Sequence, residues 1–233
     1  EDLRNEIEAT IHKLTNKEFT PDPIAGEHFS KITSVMSSAY KRHGFILERA
    51  ILEAVSQHPN FEAWEDKDFE VSTAADSVAT DFMQTPEKAL LAQVPYSTGE
   101  RTLQIDLAAF NKSDGSFRLY EVKRGNGTHD AGKKRQMLRD LLCMQLLAQS
   151  YAVSKGFSPV RSGAYIIFYY GKMSLKEPFG LKGAELDGHF GFEISAKVQS
   201  GSPGLLGTYV FLPPKIWTIL LTDIVFPLPT LKI

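Results

Sequence analysis

The start of the chain has the hydrophobic pattern of helices. Apolar and charged positions alternate loosely over residues 1–17, and Pro21 and Pro23 end that pattern because proline cannot continue a helix. Residues 26–57 then carry apolar side chains at the spacing that places them on one helix face. The clearest part of this stripe consists of Ile46, Leu47, Ala50, Ile51, Ala54 and Val55. We therefore expect a helical N-terminal part over residues 1–60.

Further along, the pattern becomes that of strands. Residues 60–86 are mixed and acidic, and they indicate no more than a short helix near residues 74–83. Residues 89–96 form a short apolar run, and residues 101–111 alternate apolar with polar positions, as a half-buried strand does. We expect a strand from each of these last two stretches.

A tight turn and a long helix organise the middle of the chain. Asp114 and Gly115 predict a hairpin turn, because these residues readily adopt the positive φ that such turns require. The returning strand is predicted over residues 117–124, and a helix with one apolar face over residues 130–154. Residues 162–170 are rich in apolar and aromatic side chains and predict an interior strand.

The remaining residues predict irregular structure and two more strands. A glycine-rich loop is expected over residues 171–191, and strands over residues 189–199 and 208–212. Strands that alternate with helices are typical of an α/β domain. Because no internal repeat or linker interrupts the pattern, we predict a single domain over residues 1–233, with its core at residues 89–170.

Composition narrows the class of protein. Apolar residues make up 42% of the chain, which is ordinary for a globular protein and argues against disorder. Cys143 is the single cysteine, so no intramolecular disulfide can form, and a reducing, cytoplasmic setting is favoured. No apolar run reaches the ~18 residues of a spanning helix, so we expect no membrane association. The net charge of −2 argues against purely electrostatic binding to nucleic acid, although affinity depends on where Lys and Arg lie.

Three charged residues of the predicted hairpin suggest a reactive site. Asp106 lies on the first strand, and Glu121 and Lys123 lie on one face of the second, because strand side chains alternate. Two carboxylates held close together repel each other and favour a hard divalent cation between them, with Mg²⁺ as the natural occupant and Mn²⁺ as a substitute. Lys123 can then neutralise charge that develops on a phosphate in the transition state. Partial burial close to a metal ion would lower the pKa of this lysine, so a role as base and a role as electrostatic clamp both stay open.

This arrangement resembles the PD-(D/E)XK nuclease superfamily. The matching features are Asp106, fourteen residues that include a Ser-Asp-Gly turn, and Glu121-Val122-Lys123 in an apolar strand before a long helix. Ile105 stands where the literal family motif has proline. The resemblance covers roughly residues 45–170 and implies a restriction-endonuclease-like α/β core, in which a central mixed β-sheet is flanked by helices, with an N-terminal helical region. It also implies that Asp106 and Glu121 bind Mg²⁺ and that Lys123 assists catalysis.

A further glutamate and a buried amide extend the candidate site. Many PD-(D/E)XK nucleases carry a glutamate on the helix before the sheet; Glu48 matches that local pattern, and Glu53 is the alternative. Helical periodicity leaves both open, because they fall on opposite edges of the apolar stripe. The resemblance favours Glu48 as a further metal ligand and catalytic residue. Gln145 lies in the apolar stripe of the long helix, where it either touches the active-site strand or satisfies a backbone group.

Basic residues follow the second strand and continue into the first turns of the long helix. We expect them to contact phosphates beside the cut site, aided by the positive N-terminus of the helix. An ordinary solvated helix face explains each of them equally well. They are Arg124, His129, Lys133, Lys134, Arg135 and Arg139.

Taken together, the sequence favours a metal-dependent endonuclease that hydrolyses phosphodiester bonds in double-stranded DNA, with a type II-like restriction enzyme as one form of it. A homodimer is expected by analogy with nucleases that cut both strands. The alternatives are a non-catalytic nucleic-acid-binding module on the same fold, a nuclease that acts on RNA or in DNA repair, and an unrelated α/β enzyme with a chance motif.

Overall fold

The computed structural model describes residues 20–24, 26–125, 127, 129–175 and 177–200. Its helices and strands in chain order are α1 (Gly26–Ser56), β1 (Phe61–Val71), α2 (Thr73–Asp81), β2 (Arg101–Asn111), β3 (Ser116–Lys123), α3 (Ala131–Ser154), β4 (Arg161–Phe168), β5 (Gly180–Lys182), α4 (Leu186–Phe190) and α5 (Ile194–Ser200). Short 3-10 helices lie at Phe82–Gln84, Pro86–Leu91 and Gly183–Glu185. The predicted helix over residues 1–17 and the predicted strand over residues 208–212 lie outside the described residues.

The strands form one open, mixed sheet in the order β1-β2-β3-β4-β5. β1, β2 and β3 are antiparallel neighbours, whereas β4 runs parallel to β3 and β5 runs parallel to β4. A parallel pair needs a crossover connection, and α3 provides the one between β3 and β4. The prediction of an α/β protein with a central mixed sheet flanked by helices is therefore confirmed.

The chain divides into two compact units. One consists of Leu47–Val198 and contains the whole sheet; the other consists of Glu1–Ile46 and Gln199–Ile233. In the second unit, Ser30 lies in the first turn of α1, where its hydroxyl accepts a hydrogen bond from the Asp22 amide (2.6 Å) and donates one to the Gly26 carbonyl (2.5 Å). The single domain over residues 1–233 stays a prediction.

Apolar side chains cover both faces of the sheet within Leu47–Val198. Phe117 and Leu119 of β3 belong to the cluster that includes the buried face of α3. Tyr120 and Val122 belong to the other cluster, which includes the buried side chains of α1. This distribution follows the alternation of side chains along a strand, and fully burying each large apolar side chain stabilises the fold by about 1.5–3 kcal/mol.

The hairpin between β2 and β3 forms as predicted. Gly115 has a φ of 66° in the turn, and the Asp114 side chain accepts a hydrogen bond from the Ser116 amide (2.9 Å). The resulting register pairs Leu107 with Tyr120 and Phe110 with Phe117. This register decides which charged residues face each other at the far end of the hairpin.

Two predictions before β2 are wrong. β1 lies in the stretch of residues 60–86, for which no strand was predicted. Four charged residues in succession hide its alternation, and its pairing with β2 is shifted between Trp64 and Asp66 and again between Asp66 and Phe69. A strand was also predicted over residues 89–96, which the structure describes in full. These residues form no strand, and the first of them belong to the 3-10 helix Pro86–Leu91. There the Val94 amide bonds the Leu146 carbonyl of α3 (2.9 Å) instead of another strand.

The stretch after β4 also differs from its prediction. The predicted loop over residues 171–191 contains β5 and α4, and the predicted strand over residues 189–199 is helical in α4 and α5. Four buried apolar residues recur there every fourth position, which is a helical spacing that the intervening glycines obscure. They are Leu186, Phe190, Ile194 and Val198.

Gly125 ends the segment that carries the charged residues of β3. Its φ is 66°, and a Cβ at this position would lie 2.8–2.9 Å from the Cα, C and Cβ atoms of Phe168 on β4. Its carbonyl accepts a hydrogen bond from the Lys172 amide (2.8 Å). A side chain at this position would therefore push β3 and β4 apart.

We expect Gly125→Ala to lower the free energy of unfolding by about 1–3 kcal/mol, because it combines an unfavourable backbone conformation with a clash against backbone atoms. Urea unfolding followed by circular dichroism measures this change. Gly127→Ala is the matched control, since a Cβ there meets no atom within 4 Å. Equal effects of the two substitutions would contradict the role assigned to Gly125.

Candidate active site

Asp106 and Glu121 lie near each other at the far end of the hairpin. The paired part of β2 and β3 ends at Leu107 and Tyr120, next to these two residues, and the charge of Glu121 acts on the pKa of Asp106. The Asp106 carboxylate is buried and accepts hydrogen bonds from the Val122 amide (2.7 Å) and the Gln104 side chain (3.2 Å). Burial raises the pKa of Asp106 above its ordinary value, although the Val122 amide and Lys123 oppose that rise.

Lys123 and Glu121 form an ion pair at the end of β3. Both side chains are partly buried, with exposed fractions of 31% and 23%. Burial acts to lower the pKa of Lys123, but the carboxylates of Glu121, Asp106 and Glu48 outweigh it and hold that pKa above its ordinary value. Without a metal ion, the net effect of these surroundings is therefore a raised pKa for Lys123. The expected lowering was for a lysine beside a bound metal, and it stays a prediction.

Glu48 of α1 joins this group. Burial first, and then the negative charges of Asp106 and Glu121, raise the pKa of Glu48 to about 7, while Lys123 opposes the rise. Glu53, the alternative, lies exposed on the same helix and accepts a hydrogen bond from the Gln57 side chain (3.0 Å). The structure thus brings Glu48 together with the hairpin residues and leaves Glu53 at the surface.

Two further residues of this group were not singled out from the sequence. Gln104 bonds Asp106, as described above, and the negative charge of Glu65 on β1 contributes to the raised pKa of Glu48. Glu65 could not be placed from the sequence because β1 itself was not predicted. For Gln104 the only signal was its position two residues before Asp106 on the same strand.

With Glu65 the group combines four carboxylates with one ammonium, so negative charge is in excess when all of them are ionised. Repulsion between partly buried carboxylates is relieved by a hard cation, and the carboxylates of Asp106, Glu121 and Glu48 are the oxygen donors that Mg²⁺ prefers. Among the residues that the structure describes, no three His, Cys, Asp or Glu side chains are arranged to hold a metal ion. Mg²⁺ typically takes one or two protein carboxylates and fills its remaining positions with water and substrate phosphate, so the donor set fits this ion without such a cluster.

The predicted phosphate-binding residues surround the start of α3. Asp130 caps the helix by accepting a hydrogen bond from the Lys133 amide (2.8 Å). Lys133 and Arg135 are exposed, and Lys134 is half-buried. These three cations point away from the core, where a polyanion can reach them.

The other three residues that were predicted to contact phosphate are less available for such a contact. Burial and the charge of Lys133 lower the pKa of His129, whose ring bonds the Ser174 hydroxyl (2.7 Å), so this residue carries little charge at neutral pH. Arg139 forms an ion pair with Asp76 of α2. Arg124 is half-buried at the end of β3. A phosphate contact of Arg139 would have to compete with Asp76.

Gln145 takes the second of its two predicted roles. Its side-chain oxygen accepts a hydrogen bond from the Ala164 amide of β4 (2.8 Å), and the residue is buried. Ala164 pairs with Leu119, two positions before Glu121, so this contact lies on the strand next to β3. Gln145 therefore satisfies a buried backbone group, one of the two roles that the sequence left open.

Comparison with known proteins adds no relative: no protein-family model, curated protein or solved structure matches the chain. Within the described part of the chain, no helix has both the length and the apolar composition needed to cross a membrane.

The raised pKa of Glu48 predicts a specific dependence of stability on pH. The folded protein holds a proton on Glu48 that the unfolded chain releases, so the free energy of unfolding falls as pH rises from about 4.5 to about 7. Glu48→Gln removes this penalty, and we expect the stability of the variant relative to the wild type to increase by about 1–3 kcal/mol across that window. Chemical unfolding at a series of pH values measures the difference. Glu53→Gln is the control, and identical pH profiles for wild type and Glu48→Gln would contradict the burial of this carboxylate.

The role of Gln145 is tested by Gln145→Leu, which keeps the volume but leaves the Ala164 amide without its acceptor. We expect a loss of about 1–3 kcal/mol in the free energy of unfolding. Gln136→Leu, on the exposed side of the same helix, is the matched control. A Gln145→Leu variant as stable as the wild type would show that this hydrogen bond contributes little.

Proposed function

We propose that this protein is a metal-dependent endonuclease of the PD-(D/E)XK type that hydrolyses phosphodiester bonds in double-stranded DNA. The observation that carries the proposal is the convergence of Asp106, Glu121, Lys123 and Glu48 at one end of the β2-β3 hairpin. The mixed sheet with helices on both faces supports a restriction-endonuclease-like fold. A type II-like restriction enzyme is the specific form we expect.

The carboxylates of Asp106 and Glu121 would hold Mg²⁺, or Mn²⁺ in its place, and Glu48 would join them as a further ligand. When bound, the ion polarises a phosphoryl oxygen and favours ionisation of a coordinated water. The Val122 amide and Gln104 fix the orientation of the Asp106 carboxylate before any ion arrives. The Asp106 ligand is therefore oriented in advance, which reduces the cost of assembling the metal site.

Lys123 acts as an electrostatic clamp in this proposal. The carboxylates of Glu121, Asp106 and Glu48 raise the pKa of Lys123, which favours the ammonium form over a base that accepts a proton from the attacking water. A partly buried ammonium would stabilise the negative charge that develops on the phosphate in the transition state. The raised pKa therefore supports the clamp, one of the two roles that the sequence left open.

The substrate would approach along the start of α3. Lys133, Lys134 and Arg135 lie at the N-terminal end of this helix, where the helix dipole adds to their positive charge, and contacts of this kind position a nucleic acid without reading its sequence. Arg124, His129 and Arg139 would complete the surface. Cutting both strands of a duplex requires two such sites, and a homodimer with two-fold symmetry would supply them.

The proposal predicts cleavage that depends on metal and on each hairpin residue. Supercoiled and linear duplex DNA are incubated with the full-length protein in Mg²⁺, Mn²⁺ or EDTA, and products are resolved on gels. Removing either metal ligand or the ammonium, in Asp106→Asn, Glu121→Gln or Lys123→Met, should slow cleavage by about 10²-fold or more, as the loss of comparable electrostatic contributions does in other enzymes. Glu62→Gln, an exposed residue of β1 that pairs with Lys112, should cut as the wild type does.

Three outcomes separate the alternatives. Undiminished cutting by the hairpin variants would rule out the proposed site and favour an unrelated α/β enzyme. Metal and DNA binding without cleavage of any nucleic acid would favour a non-catalytic binding module. Cleavage confined to RNA, or to branched or damaged DNA, would keep the site and replace the restriction role with action on RNA or in DNA repair.

A further inference from the structure

Lys123 and Glu121 form an ion pair with each other, although the proposed reaction requires each of them to bind a different partner. Glu121 would bind the metal, and Lys123 would contact the scissile phosphate. In the described structure the two side chains instead bind each other, on the same face of β3 and two residues apart. A carboxylate that already has an ammonium partner is less available as a metal ligand.

The influence of Lys123 extends beyond Glu121. Its positive charge also stabilises the ionised forms of Asp106 and Glu48, and both of those carboxylates in turn stabilise the ammonium. Lys123 therefore neutralises part of the charge of all three carboxylates. This is the electrostatic task that a divalent cation would perform in the same pocket.

A third observation concerns the carboxylates as a set. The charges of Asp106 and Glu121 both raise the pKa of Glu48, yet no group of three His, Cys, Asp or Glu side chains in the described residues could hold a metal ion. In this arrangement the ammonium of Lys123 lies against Glu121, one of the three prospective ligands.

We propose that Lys123 is the internal counter-ion of the pocket before metal binds, and that the arriving ion displaces its ammonium from Glu121 and frees it to contact the substrate phosphate. The inference rests on the proposed metal site. In this proposal, metal binding and the movement of the Lys123 ammonium to the substrate phosphate occur together. The protein would then carry a correctly placed Lys123 only after the ion is bound, so substrate bound without metal would not meet the clamp.

Competition between Lys123 and the ion gives a prediction that does not depend on cleavage. If the ammonium must be displaced, removing it should tighten metal binding even though it abolishes the reaction. We expect Lys123→Met to bind Mn²⁺ about tenfold more tightly than the wild type or better, since one positive charge beside the ion is removed. Lys123→Arg keeps the charge and should bind close to the wild-type value. Lys112→Met, which removes an exposed lysine paired with Glu62, is the matched control for a general change in charge.

Mn²⁺ affinity is measured on the full-length protein by titration calorimetry and by the electron paramagnetic resonance signal of unbound Mn²⁺. Thermal unfolding with and without saturating Mn²⁺ gives a second readout, in which the metal should raise the melting temperature more for Lys123→Met than for the wild type. If Lys123→Met does not fold in metal-free buffer, Lys123→Gln takes its place.

The outcomes are distinct. Tighter Mn²⁺ binding by Lys123→Met, but not by Lys123→Arg or Lys112→Met, supports displacement of the ammonium by the ion. Equal or weaker binding by that variant, with a wild type that binds Mn²⁺, overturns the counter-ion role and leaves the proposed nuclease site standing. Absence of Mn²⁺ binding in every variant overturns both.

Discussion

Repulsion among three partly buried carboxylates is the constraint on which the candidate site depends. Asp106 and Glu121 come from adjacent strands of one hairpin, and Glu48 comes from the helix that packs on the same sheet. Burial and, after it, the like charges of Asp106 and Glu121 make an ionised Glu48 costly, and both raise its pKa. Lys123 offsets part of this cost, and the remainder is what would draw a divalent cation into the pocket.

Packing and hydrogen bonds elsewhere in the fold keep these carboxylates close together despite their repulsion. α1 is fixed by its buried apolar face, so Glu48 cannot move away without uncovering the core. Asp106 is fixed by the Val122 amide, and the end of β3 is fixed by the close approach of Gly125 to Phe168. Holding these carboxylates close together therefore lowers the stability of the fold. Such local destabilisation is common where a protein binds a ligand or performs chemistry.

The hairpin and its charged residues could be predicted from the sequence because they depend on local signals. Alternation predicted the two faces of β3, the Asp114-Gly115 turn predicted the connection between β2 and β3, and together these placed Asp106 near Glu121 at the far end of the hairpin. The choice between Glu48 and Glu53 depends on how α1 packs on the sheet, which helical periodicity alone does not determine. The structure resolves their positions, whereas the roles of these residues stay predictions.

Elements without a clean pattern were missed for identifiable reasons. Charged residues interrupt β1, β5 has three residues, and glycines divide the apolar series that forms α4 and α5. The apolar run over residues 89–96 is covered by α3 rather than paired in the sheet, which no local signal distinguishes from a strand. The effect of Glu121, Asp106 and Glu48 on the pKa of Lys123 could not be predicted from the sequence, because tertiary structure brings these carboxylates together.

Anomalous diffraction from crystals of the full-length protein soaked in Mn²⁺ tests the central claim most directly. A manganese peak bound by the Asp106 and Glu121 carboxylates, with Glu48 in its coordination shell, is the predicted result. Crystals that bind manganese elsewhere, or that show these carboxylates unchanged around Lys123 at saturating Mn²⁺, would contradict the claim that they form a metal site.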